Sequence, residues 1–237
     1  MVDFAPFGNL GEFLNGNSIR QCDRRNLVRQ SLQAVKYLHQ QYIIHHDIKP
    51  ENILVQCREP LEIKVGDFGH AERCKPFAVS TLRCWGTPGY QAPELGREHS
   101  FEVDVWSLGV VALNVSGYWP WTAYTDDQIS TDHSIVKRVL QRARQTPFAE
   151  LVSSMLFEDR NQRWTAEQCL RHAWLRDDGA QSLGKRRFSA CEHDPEDATE
   201  HHAAKRGCHQ GSTPDVHTLL THARRQNKKA TQQCIML

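Results

Sequence analysis

Residues 43–54, IIHHDIKPENIL, set an acid (Asp47), a lysine (Lys49) and an asparagine (Asn52) close together on a stretch too short to be a helix. Pro50 stiffens the run, and a β-branched stretch follows it. A second acid, Asp67, opens the tripeptide DFG further along. An acid can accept or orient a proton, a lysine can neutralise an anion, and the oxygens of Asn and Asp are hard donors for a hard cation. Held together, these four side chains would serve a reaction in which a proton moves beside an anionic group and a metal ion.

Such a grouping needs a scaffold to position it. Asp23 is placed to cap a helix in which Val28, Leu32, Val35 and Leu38 recur at helical spacing, leaving Arg24, Arg25, Arg29 and Lys36 for solvent and ending near Gln41. Residues 53–55 and 63–65 are short and β-branched, which predicts a two-stranded ribbon about a turn at Glu59 and Pro60. The run FEVDVWSLGVVALNV, 101–115, is apolar on nearly every face and predicts a helix surrounded by others, closed by Gly117. Further helices are predicted at 127–143, 147–156 and 165–172, the last opened by Thr165 with Glu167 and Gln168 in its first turn.

The chain has 237 residues, 39% of them hydrophobic, enough for one domain with extensions. Of its aromatic residues only Phe188 lies beyond position 175, so 1–175 is expected to fold and 176–237 to be a low-complexity, disordered tail. A net charge of +1 argues against a broad nucleic-acid or membrane surface. The eight cysteines form no Cys-x-x-Cys pair and no signal-like stretch opens the sequence, which predicts a reducing setting, cytoplasmic or nuclear. No window is apolar enough to span a bilayer, so any membrane contact would come from an attached group.

Four motifs run in order: HHDIKPEN at 45–52, DFG at 67–69, GTPGYQAPE at 86–94 and DVWSLGV at 104–110. Together they resemble the signature set of the eukaryotic protein serine/threonine kinases, and the resemblance covers 1–175. It implies a protein kinase-like α+β fold, of which this chain would be the mainly helical C-terminal lobe, beginning at the hinge, with a short β-ribbon. The implied activity is transfer of the γ-phosphoryl group of ATP to a Ser or Thr hydroxyl of a protein substrate, with ATP and Mg²⁺ as cofactors.

On that resemblance each residue acquires an expected role. Asp47 would accept or orient the substrate hydroxyl proton, Lys49 would sit against the transferred phosphate, and Asn52 and Asp67 would hold Mg²⁺. Thr87 would hydrogen-bond the Asp47 and Lys49 pair. Asp3 and Ala5 would offer backbone groups to adenine, Asn9 would face the ribose, and Leu54 would lie under the adenine ring. Among structural residues, Glu94 would pair with a buried Arg163, Asp104 would anchor the catalytic-loop backbone, and His45 and Phe68 would stack in the core beside Gly69.

The family also has a glycine-rich loop, a strand lysine and a helix glutamate ahead of the hinge. This sequence begins at the hinge, so those parts are expected from a longer chain or from an N-lobe or partner protein in trans. The alternative is a non-catalytic binding module or scaffold, docking a partner through the helical surface around 101–143. His46 stands where the family usually has the arginine that pairs with an activation-segment phosphate, which predicts weaker dependence on phosphorylation there. Ser80, Thr81 and Ser189, the last behind Arg186 and Arg187, are candidate phosphorylation points. The final Cys234-Ile-Met-Leu has the form of a prenylation box with Arg224, Arg225, Lys228 and Lys229 upstream, which predicts peripheral membrane contact.

Overall fold

The computed structural model describes residues 5–16, 19–75, 80, 86–118, 134–142 and 146–176. Asp3, Thr81, Ser189 and Cys234 lie outside these residues, as do the expected tail beyond 176 and the start of the helix expected at 127–143.

The first long element is α2 (Gln21–Gln40), which buries Leu27, Val28, Leu32, Val35 and Leu38. Its start corrects the expected cap. Arg20 occupies the N-cap with extended backbone, while Asp23 lies inside the first turn and takes the Arg20 Nε–H at 2.7 Å. An acid there faces the positive end of the helix dipole, so Asp23 steadies the terminus by charge instead of by capping.

The basic face of α2 is also not left to solvent. Arg29 Nε donates to the Leu175 carbonyl at 3.1 Å, Arg25 lies over the Trp174 ring at 5.8 Å, and Lys36 reaches Glu167 at 3.5 Å. The alkyl stems of these side chains cover apolar surface that a polarity pattern does not register. They dock α6 (Ala166–Leu170) and the turn Ala173–Leu175 onto α2. Thr165 opens α6 with a capping box, its Oγ1 accepting from Gln168 N and its N donating to Gln168 Oε1.

At the centre is α3 (Glu102–Val115), every residue of which is buried except Glu102 and Asn114. It packs against α2 and against α5 (Pro147–Met155), which Thr146 caps through Ala149 N. A shorter helix, α4 (Ser134–Arg142), lies against α5. Gly117, at φ 73°, ends α3: its N–H reaches the Asn114 carbonyl and that of Tyr118 reaches Leu113, satisfying the last carbonyls.

Strands β2 (Ile53–Arg58) and β3 (Leu61–Val65) pair antiparallel, Ile53 against Val65 and Val55 against Ile63. Gln30 of α2 clamps the ribbon, accepting from Ile63 N at 3.0 Å and donating to the Leu61 carbonyl at 2.8 Å. Beside it, α1 (Leu10–Gly16) is reached through a bridge from Asn9 to Leu54. One pairing has no sequence signal: β1 (Ile43–Ile44) joins β4 (Glu72–Arg73), and two-residue strands are too short to carry a period. That pairing ties the segment entering His45 to the segment leaving Asp67.

Candidate active site

Between β1 and β2 the chain turns through 45–52, and Asp104 of α3 fixes the turn. Its Oδ2 accepts from His45 N at 2.8 Å and its Oδ1 from His46 N at 2.9 Å, while His39 Nε2 lies 3.0 Å from Oδ2. Burial alone would raise this carboxyl, but the His39 hydrogen bond and the neighbouring histidines outweigh it and hold the group at about 2. A carboxyl depressed in the folded state stabilises the fold above its unfolded value and loses that contribution as pH falls through the folded one. The shift corresponds to about 2–3 kcal/mol, expected to fade between about pH 4 and pH 2. Denaturant midpoints measured down that range should fall more steeply for the parent protein than for Asp104→Asn.

His45 is fully buried and neutral, burial pushing its imidazole down. Its Nε2 meets the Gly66 carbonyl at 3.0 Å and its Nδ1 accepts from Asp47 N at 3.3 Å, so it joins the loop to the end of β3. Phe68 meets the His45 ring as expected, but not enclosed in the core. The rings are tilted by 56° at 5.1 Å, and Phe68 is half-buried on the 3-10 turn Phe68–His70.

Around Asp47 four groups converge. Thr87 Oγ1 donates to Oδ1 at 2.7 Å; Lys49 Nζ lies 2.9 Å from Oδ2; Asn52 Nδ2 donates to Oδ2 at 2.9 Å; His70 Nδ1 stands 3.6 Å away. Lys49 also donates to Thr87 Oγ1 at 2.6 Å, which closes a triangle among Asp47, Lys49 and Thr87. Burial would raise the Asp47 carboxyl, but the hydrogen bonds from Lys49, Thr87 and Asn52 prevail and lower it. Gly86 makes the approach of Thr87 feasible: at φ 108° a Cβ there would come within 2.6 Å of the His46 carbonyl.

Asn52, a buried residue, spends its amide hydrogens on the Asp47 carbonyl at 2.7 Å and the carboxylate at 2.9 Å, so the acceptor on its side chain is Oδ1. Asp67, exposed and in a left-handed conformation at φ 54°, accepts from Gly69 N at 3.2 Å with one oxygen. Its other oxygen and Asn52 Oδ1 are hard donors. Among the described residues no cluster of three or more His, Cys, Asp or Glu could hold a metal. Oxygen donors of this kind are the type Mg²⁺ takes, with the rest of its shell from water and phosphate oxygens.

Of the residues expected at the adenine end, Leu54 is half-buried beside Gly66 and bridges to Asn9. Ala5 gives its carbonyl to Gly8 N at 3.2 Å. Asn9 spends its Oδ1 on Glu12 N at 2.9 Å, while Glu12 Oε2 returns a bond to Asn9 N, a reciprocal cap on α1.

A groove of about 650 Å³ opens from Lys49 and Thr87 past Pro50, Glu51, Glu12 and Tyr90. A second groove, about 390 Å³, lies between α2 and the β2–β3 ribbon. Its Asn26 and Gln30 already serve the β3 edge, and it contains none of Asp47, Lys49, Asn52, Asp67 and Thr87.

Beneath Thr87, both terminal nitrogens of Arg163 reach Glu94, Nη2 to Oε2 at 2.9 Å, while Nε donates to the Phe157 carbonyl and Nη1 to that of Glu102, each at 3.0 Å. Ser80 departs from its expected place. It is buried, with its hydroxyl donating to Glu72 Oε2 and its backbone paired to His99. A phosphate there would meet a carboxylate at hydrogen-bond distance, so the geometry disfavours Ser80 as a modification point. The residues that sequence reasoning missed are His70, Glu72 and His99, which reach the site through long-range contacts without any spacing signature.

The family model described as the protein kinase domain matches residues 1–175. Among curated proteins, myosin light chain kinase 3 of Rattus norvegicus is 36% identical over 159 residues, 62% of this chain and 20% of that protein. A probable myosin light chain kinase of Dictyostelium discoideum is 33% identical over 168 residues, 65% of this chain and 41% of that protein. Myosin light chain kinase family member 4 of Mus musculus is 32% identical over 167 residues, 68% and 43% respectively. The chain thus spans less than half the length of these relatives.

Proposed function

The chain belongs to the protein kinase family, and from that premise we propose that its site transfers the γ-phosphoryl group of ATP to a serine or threonine hydroxyl of a protein substrate. The observation that carries this reading is the triangle of Asp47, Lys49 and Thr87, a carboxylate, an ammonium and a hydroxyl locked at 2.6–2.9 Å beside an open groove.

Asp47, held ionised by its donors, receives the substrate hydroxyl at a carboxylate oxygen and aims its lone pair in line with the phosphoryl group. Because its proton affinity is low, Asp47 orients the hydroxyl early and takes the proton late, as the new P–O bond forms and the bond to the leaving diphosphate breaks. Lys49 neutralises charge that develops on the transferring group, and Thr87 keeps the lysine and the carboxylate in register. Asn52 and Asp67 would hold the Mg²⁺ that accompanies ATP, whose charge offsets that of the phosphates. Leu54, Asn9 and the Ala5 amide would receive the nucleoside. We place this region as the C-terminal lobe; a glycine-rich loop and a strand lysine, in the same polypeptide or in a partner, would complete the phosphate site.

A lysine two residues after the acid is the serine/threonine-type arrangement of the family the sequence resembles, and here its ammonium is fixed on Thr87, which supports a serine or threonine acceptor. The groove carries two carboxylates, Glu12 and Glu51, which favours a peptide with basic residues near the acceptor. Serine peptides with flanking arginines should be labelled from Mg–ATP faster than matched acidic peptides. If no peptide is labelled and Mg–ATP leaves the melting temperature unchanged, the chain is instead a binding module.

A further inference from the structure

Three contacts meet at a pair of buried histidines. His46 Nδ1 lies 3.2 Å from the His70 carbonyl, His99 Nδ1 lies 2.8 Å from the Arg97 carbonyl, and the two Nε2 atoms face each other at 3.0 Å. The rings meet edge-on at 86°, and the residues are 4% and 0% exposed. A carbonyl oxygen can only accept, so each Nδ1 must carry a hydrogen. Two neutral imidazoles hold two N–H hydrogens between them, and three hydrogen bonds need three. In every neutral arrangement one contact sets two lone pairs against each other where no water can intervene.

We propose that His46 and His99 share one bridging proton, and that this singly charged pair ties the segment at 97–99 to the catalytic loop, making His99 a positioning residue for Asp47 through His46. The proton is taken from solvent and no covalent bond changes. The charge is compensated from several sides. Asp104 of α3, which accepts the His46 backbone N–H at 2.9 Å, and Glu72 of β4, linked to Ser80, both place negative charge near the His46 ring. His45 and Asp47 flank His46 on its own loop, His70 lies on the turn after Asp67, and Arg97 and Glu98 precede His99 in the chain. Burial, and then the neighbouring His99 ring, push the His46 imidazole down, so the hydrogen bond between the two Nε2 atoms has to outweigh them for the pair to keep its one proton; a second proton would set two N–H groups against each other at 3.0 Å.

Independent support comes from the backbone. His46 sits at φ 67°, a region a non-glycine residue keeps only when its surroundings hold it there. The same pair links Ser80, whose N and O both bridge to His99, to the loop bearing Asp47. In the position where the family resemblance has an arginine facing a phosphate, this chain supplies a proton between two imidazoles.

The link to Asp47 rests on the proposed kinase reading, but the shared proton rests on imidazole geometry and is tested without activity. In the full chain with ¹⁵N-labelled histidines, long-range ¹H–¹⁵N spectra at about pH 7 should contain one imidazolium-type signature shared by two rings. Either His46→Gln or His99→Gln should remove it, returning the remaining ring to a neutral pattern. Two separately neutral rings from about pH 5.5 to 8.5 would overturn the proposal. Should either variant fold poorly, His46→Arg supplies a permanent charge. The parent should lose about 2–8 °C of melting temperature as pH rises above about 7.5, and His46→Arg should not. The same pH dependence in both proteins would overturn the proposal equally.

Discussion

Asp47→Asn is expected to slow phosphoryl transfer to a serine peptide by about 10²–10⁴-fold, in the whole polypeptide that carries this domain. The loss should fall on kcat, with KM for the peptide little changed, because the groove walls that bind the peptide are elsewhere at Glu12, Glu51 and Tyr90. The amide can still accept the Thr87 hydrogen bond at its oxygen. Its NH₂ group, however, would then face Lys49 Nζ and Asn52 Nδ2, both donors that now meet a carboxylate oxygen at 2.9 Å. The substitution therefore removes the proton acceptor and loosens the lysine together. Thr87→Ala should act more mildly, by about tenfold, since it leaves the carboxylate and removes one pair of hydrogen bonds. A steady-state assay of both variants that found Asp47→Asn as fast as the parent would remove Asp47 from the chemistry.

What could be read from the sequence divides along the distance over which each contact acts. Asp47, Lys49 and Asn52 are neighbours in the chain, so their association follows from a rigid loop with Pro50 at its turn. The capping box at Thr165 and the closing glycine at 117 are equally local, satisfying helix-end groups within a few residues. The roles of Asp104 and Arg163 follow only from the resemblance, because nothing near 104 in the chain says that its carboxylate will meet backbone amides at 45 and 46. His99 lies beyond both kinds of reasoning. Its partner is 53 positions away, and its role depends on a carbonyl at 97 that fixes its tautomer. The basic face of α2 misled for a related reason: apolar periodicity reports one stripe, whereas Arg25 and Arg29 bury their stems under a segment that returns only at 174–175.

Arg163→Met should destabilise the domain by about 3–5 kcal/mol, read as a lower urea midpoint at unchanged slope. The guanidinium is enclosed, and its removal strands the Glu94 carboxylate at a side chain only 11% exposed. It also frees the carbonyls of Phe157 and Glu102 and removes the cation that lies 5.0 Å over the Trp106 ring at the start of the central helix. The double variant Glu94→Leu with Arg163→Met separates the pair's own value from the penalty of an orphaned charge. Replacing both partners by apolar groups removes the buried charge, so the double variant should regain much of the loss. If it does, the pair's importance is geometric. Glu94 ends the segment that carries Thr87 and the Gly86 approach to His46, and the fork on Arg163 fixes where that segment sits. The double variant should then melt near the parent yet transfer phosphate slowly, because Thr87 no longer holds Lys49 against Asp47.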